Sequence, residues 1–210
     1  MLAGRLGRHR KEIAAMKKKG FVIRKICALV GACLLVGAIA TMALWRWDIH
    51  RSEARSRYYV DTLQALIPEP QNAVPEERRD NTMSVLSVDG TNLVGIVEIP
   101  RYESVLPVCA DWGNTSKYPC RFSGSIYDGT MKIGATTQKG QYDFYRELSV
   151  GDTVIYTDVE GDRYTFTITG IRHEKHADQA ALQHEDAPLT LFVKNIYSFE
   201  YLVLFCDVSY

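Results

Sequence analysis

The feature that most constrains this chain is a run of about 20 residues, 26–45, in which every position is apolar, small or Thr. A helix of that length rises about 30 Å and spans the hydrocarbon core of a bilayer, where every backbone N–H and C=O must be bonded within the segment. Ahead of the run stand Arg5, Arg8, Arg10, Lys11, Lys17, Lys18, Lys19, Arg24 and Lys25 against one acid, Glu12. Basic residues stay on the cytoplasmic side, which predicts a basic tail over 1–25 inside, a membrane helix over 26–45, and everything after Trp47 outside. A secretory signal sequence begins alike, but its apolar stretch is about 7 to 15 residues and ends in a small-residue cleavage site. Here the stretch is longer and closes on Leu44-Trp45-Arg46-Trp47. Trp at that boundary buries its ring and keeps its N–H wet. The expectation is an uncleaved single-pass anchor in a plasma membrane. A buried helix of a soluble core is the competing reading, and the dense basic flank speaks against it.

Over the whole chain the charges balance, 25 Lys+Arg against 25 Asp+Glu, so no nucleic-acid partner is expected. Of the five cysteines, Cys27 and Cys33 lie in the apolar run and Cys109, Cys120 and Cys206 beyond it. An oxidising exterior allows a Cys109–Cys120 disulfide, which leaves Cys206 unpaired. The chain has no Cys-x-x-Cys pair, so neither a zinc ribbon nor a dithiol redox site is expected.

Residues 46–85 read as an outward helix, rich in Arg, Glu, Ala and Leu to Leu66, followed by a polar linker punctuated by Pro68, Pro70 and Pro75. Over 86–210 the pattern changes to short β-branched and aromatic runs separated by Gly, Asp, Asn and Pro. Strands are predicted near 93–99, 105–109, 124–127, 131–136, 152–158, 163–173, 188–194 and 200–208, with a hairpin through Asp158, Val159, Glu160, Gly161 and Asp162. Tyr142, Tyr145 and Leu148 recur at helical spacing and predict a short helix that stops at Gly151-Asp152. The aromatics Tyr142, Phe144 and Tyr145 are read as packing residues rather than a peptide-binding wall.

Four stretches, in order, carry a family resemblance. Val94-Gly95-Ile96-Val97-Glu98-Ile99-Pro100 followed by Leu106-Pro107-Val108 resembles the opening strands of sortases, with their Gly-x-Ile-x-Ile-Pro and Leu-Pro-[Val/Ile]. Residues 129–134 come next, bounded by Gly129 and Gly134. Tyr142-x-x-Tyr145-x-x-Leu148-x-x-Gly151-Asp152 is similar to the family's Phe-x-x-Leu-x-x-Leu-x-x-Gly-Asp. After the Gly161 hairpin, Leu189-Thr190-Leu191 resembles the start of its Thr-Leu-x-Thr-Cys strand. Ser87-Val88-Asp89-Gly90 is similar to the pilin-polymerising class, whose lid motif of Asp-Pro and an aromatic does not occur, so the class stays open. The resemblance implies a mainly β fold, an eight-stranded barrel with short helices behind an N-terminal membrane helix, in a Gram-positive-type envelope.

Sortases are transpeptidases that use a cysteine thiolate, a histidine and an arginine, because acyl transfer needs a nucleophile, a proton carrier and an oxyanion donor. Motif alignment places Ala135 in the histidine slot, Lys194 in the cysteine slot, and Glu200 or Tyr201 in the arginine slot. None supplies the family chemistry. The resemblance therefore implies a pseudosortase that binds a sorting-signal peptide, a pilin-type protein or a partner sortase. The alternative is an active cysteine transpeptidase with Cys206 as nucleophile and His173 or His176 as its base. Against it, Cys206 is near the end of the sequence with no following arginine, and a small inert core residue is the commoner fate of such a cysteine. No cofactor is expected. No metal is expected either, since His173 and His176 are three apart on a strand and face opposite sides, and His184, Glu185 and Asp186 read as solvated loop.

Overall fold

The computed structural model describes residues 3–75, 81–115, 117–138, 141–144, 146–175, 187–196, 198 and 200–209, with backbone alone for 3–24, 26, 28 and 49. The first element is a helix, α1, Ala3–Leu66. The chain divides into two units, Met1–Asp48 and Ile49–Tyr210. In the first, Leu34, Leu35, Val36 and Ile39 are all exposed. The hydroxyl of Thr41 donates back to the carbonyls of Gly37 and Ala38 at 3.1 and 2.9 Å, so this polar side chain of the apolar run is satisfied within the helix. This is the one helix among the described residues long and apolar enough to cross a membrane.

In the second unit α1 becomes amphipathic. Ser56, Tyr59, Val60 and Leu63, at the i, i+3, i+4, i+7 spacing of one helical face, are all buried. Tyr59 and Leu63 pack with Leu93, Ile96, Cys109 and Tyr118, and the Tyr59 hydroxyl meets the Thr91 hydroxyl at 2.9 Å. The helix ends at Leu66, before Pro68, whose missing N–H and fixed φ cannot continue it.

Ten strands follow: β1 Gln71–Ala73, β2 Leu86–Val88, β3 Thr91–Ile99, β4 Ser104–Cys109, β5 Cys120–Ser123, β6 Met131–Thr136, β7 Thr153–Asp158, β8 Asp162–Glu174, β9 Leu189–Lys194 and β10 Tyr201–Val208. Eight close into a ring in the order β3-β4-β5-β6-β9-β10-β8-β7, with β7 returning to β3. This is the eight-stranded barrel that the resemblance implies. Outside the ring, β1 lies parallel to β8 and β2 antiparallel to β3. Inward residues such as Val97, Ile133, Phe166, Ile168, Leu191 and Leu204 fill the barrel.

Three local features differ from the sequence expectations. The third barrel strand is Cys120–Ser123 rather than 124–127, because Gly124 (φ +73°) turns the chain under the Thr130 carbonyl. Ile126 and Tyr127 still enter the core, from a turn, and their burial is what resembles a strand in the sequence. The segment around Tyr142 and Leu148 forms bends and turns instead of a helix, although both side chains are buried; Tyr145 lies outside the described residues. The proline-rich stretch after α1 lies on the barrel through β1, whose Gln71 N–H donates to the Gly161 carbonyl at 2.9 Å.

The two clearest motif residues have structural reasons. A Cβ on Gly95 would collide with the Thr157 carbonyl and the Tyr156 ring, because Tyr156 reaches across to donate its hydroxyl to the Val94 carbonyl at 2.7 Å. Asp152 is buried and accepts from the Ser149 N–H at 2.9 Å and the Arg101 guanidinium at 2.6 Å, which ties the 149–152 turn to the β3–β4 connection.

Candidate functional site

Strands β6, β9 and β10 lie side by side, β6 parallel to β9 and β9 antiparallel to β10. Strand alternation sorts their side chains. Ile133, Ala135, Leu191, Val193, Leu202, Leu204 and Cys206 belong to the barrel core. Gly134, Thr136, Phe192, Lys194, Tyr201, Val203 and Phe205 therefore face outward. Register pairs Thr136 with Lys194, and Lys194 with Tyr201. These three stand together at one end of the outer face, where the Lys194 ammonium lies 5.9 Å from the centre of the Tyr201 ring. Ala135, 4% exposed, points the other way into the core. The outward side chain at that strand end is Thr136.

The connection leaving this end is held tightly. The Thr137 N–H donates to the Lys194 carbonyl at 3.0 Å, the Ile196 N–H donates to the Thr137 hydroxyl at 3.3 Å, and the Asn195 N–H donates to the Glu200 carbonyl at 2.8 Å. Thr136 is fixed through its N–H, which donates to Gln141 Oε1 at 3.0 Å.

Further along the same face is an aromatic roof. Trp112, in the connection between β4 and β5, lies over Gly134, with ring centres 4.8 Å from Phe122 and 5.5 Å from Phe192. A Cβ on Gly134 would come within 2.5 Å of both the Trp112 and Phe192 rings, so only glycine admits this packing. Phe192, Val203 and Phe205 are buried beneath it, and the Arg172 guanidinium lies 5.3 Å over the Phe205 ring. Lys132 is partly buried on this side, and the loss of water lowers its pKa.

The structure does not bring Cys206 to this end or to His173. Cys206 pairs with Leu189 and Ile168, while the exposed His173 pairs with Leu202, a separation of about 13 Å along β10. Cys206 is 0% exposed, its thiol faces the Leu204 carbonyl at 4.0 Å, and burial raises its pKa far above the ordinary thiol range. A thiol so placed stays protonated, and His173 is out of its reach. His176 and His184 lie outside the described residues.

Cys109 and Cys120 are direct partners across β4 and β5, both fully buried and both free thiols. A hydrogen bond between them, followed by burial, raises the Cys120 pKa. In the β7–β8 turn, carboxylate oxygens of Asp158, Glu160 and Asp162 lie within 4.8 Å of one another. Asp158 Oδ1 is already the acceptor for the Glu160 and Asp162 N–H groups, both at 2.9 Å, which accounts for the cluster as turn chemistry.

Sequence reasoning missed Thr136, Thr137 and the aromatic roof. Alternation along 131–136, with Met131, Ile133 and Ala135 inward, was the available signal for Thr136. Nothing local points Trp112 at Gly134, which is distant in sequence and reached only by closing the barrel.

Among solved structures, sortase C-3 from Streptococcus pneumoniae matches 77% of this chain and 84% of its own, at 18% identity and a TM-score of 0.50. Sortase C1 from Streptococcus agalactiae matches 59% and 71%, at 17% identity and 0.48. A sortase D5 transpeptidase from Clostridium perfringens matches 56% and 79%, at 12% identity and 0.48. No protein-family model matches the chain, and no curated protein does. The chain has a sortase-like fold.

Proposed function

We propose that this is a membrane-anchored pseudosortase that acts by binding. It holds a sorting-signal peptide, or the pilin-type protein or partner sortase that presents one, on the outer face of β6, β9 and β10. The observation that carries the proposal is the set Thr136, Lys194 and Tyr201 at the strand ends. These provide a hydroxyl, a cation and a phenol that can hydrogen-bond a peptide, but no thiolate, imidazole or guanidinium to move an acyl group. Cys206, the nucleophile of the alternative, is buried about 13 Å of strand away from His173.

In this proposal residues 1–25 are cytoplasmic, 26–45 cross the membrane, and 46–210 face outward in a Gram-positive-type envelope, with 86–210 as the binding domain. The oxidising exterior would then convert the facing thiols of Cys109 and Cys120 to a disulfide, read by peptide mapping without reduction.

The test uses the full chain in lipid nanodiscs with a fluorescent sorting-signal peptide. Saturable binding without cleavage is expected, weakened about tenfold, or about 1.4 kcal/mol, by Lys194→Ala or Tyr201→Ala and unchanged by Cys206→Ala. Thiol-dependent cleavage of the peptide, lost in Cys206→Ala, would overturn the proposal.

A further inference from the structure

The barrel is not evenly laced. β4 pairs with β3 from Ser104 to Cys109, but meets β5 at one residue pair, Cys109 with Cys120. The Cys109 N–H points to the β5 side, where it donates to the Pro119 carbonyl at 2.9 Å. Along β4, Leu106 and Val108 face the core while Val105 and Cys109 face α1, so the two-residue period is unbroken. The same period turns the N–H and C=O of Val105, and the C=O of Pro107, toward the side away from β3. None of these three groups is bonded to a described residue. Pro107 has no N–H, so Val105 carries the one outward donor between residues 105 and 108.

A cleft of about 260 Å³ meets this edge and is lined by Val105, Leu106, Gln141 and Phe144 among others. Its apolar wall is the stacked pair Tyr102 and Phe144, ring centres 4.6 Å apart at 14°. Its charged lining holds Glu53, Glu103 and Asp143 against Arg57, with Glu53 3.5 Å from His50 Nδ1 and the Arg101 guanidinium, itself paired with Asp152, 5.5 Å over the Tyr102 ring. An open strand edge recruits another strand, and proline and charge are the usual means of limiting which one. Here Pro107 blocks continuous pairing, and the acidic excess selects for positive charge.

We infer that the β4 edge at Val105 is a docking site for an extended peptide segment carrying a Lys or Arg side chain, added as a short strand. Its backbone bonds to the Val105 N–H and C=O. The cation meets the carboxylate rim, and its methylene stem lies on the Tyr102–Phe144 wall. The site uses the edge of β4 rather than the outer face of β6, β9 and β10, although Gln141, which lines the cleft, also holds the Thr136 N–H, and it stands whether or not that face binds a peptide.

Hydrogen exchange on the full chain in nanodiscs, with and without the probe acetyl-Thr-Val-Lys-Val-Thr-amide, tests this. The Val105 amide is expected to exchange freely alone and to slow about tenfold with probe. A probe with Glu in place of Lys should bind about tenfold more weakly, and Asp143→Lys should reverse that preference. Val105→Pro removes the donor at a position where the sheet does not use it, so the chain should fold and lose the response. The inference is overturned if Val105 is already protected in the free protein, if the two probes bind alike, or if protection appears on β9 and β10 instead. Protection that rises with protein concentration without probe would also overturn it, in favour of a second copy at the edge.

Discussion

Asp158 is the clearest case of one residue under opposed forces. Its Oδ1 accepts two turn amides, which favour the carboxylate, yet burial to 1% exposure outweighs them and raises its pKa above the ordinary 3.8. A folded-state pKa above the unfolded value gives stability that is full below the unfolded pKa and lost as pH rises through the folded one. Asp158→Asn keeps an oxygen for the two amides and removes the charge. It is expected to melt higher than the parent at neutral pH and to flatten the decline in stability above about pH 4, measured by thermal denaturation across pH. In the sequence this residue read only as the first position of a hairpin turn. Its burial follows from β7 pairing with β3, which places Asp158 beside Gly95.

At the scale of elements, the two parts of α1 differ in what they bury. Its apolar part is exposed around most of its circumference, whereas residues 56–63 bury one face against β3, β4 and the connection to β5. Leu63, 0% exposed, is the deepest contact. Leu63→Ala is expected to cost about 2–5 kcal/mol, read as a drop in the denaturant midpoint of the barrel. A helix serving only as a spacer would show no such effect. The same scale explains the strand expectations. β3, β4, β6, β7, β8, β9 and β10 lie close to where alternating or continuous apolar runs predict them. The third barrel strand does not, because Ile126 and Tyr127 are buried from a turn. Periodicity reports burial, and a turn can bury two adjacent side chains as well as a strand can.

For the whole molecule, the expected arrangement is one membrane crossing with the barrel outside. Protease applied to intact cells should remove the barrel and leave the basic N-terminal tail protected, detected by tags at either end; the reverse pattern would invert the topology. What the sequence by itself determined was what depends on local chemistry: a basic flank beside an apolar run and the residue classes of most strands. Only the tertiary structure decided which face each side chain occupies. Ala135 and Lys194 stand on neighbouring strands, but the pleat turns Ala135 inward and leaves Thr136 beside Lys194 and Tyr201. Closing the ring also laid Trp112 over Gly134 and left the β4 edge with one bridge to β5. Those contacts join residues far apart in the chain, and their energies come from packing and hydrogen bonding that exist only once the barrel has closed.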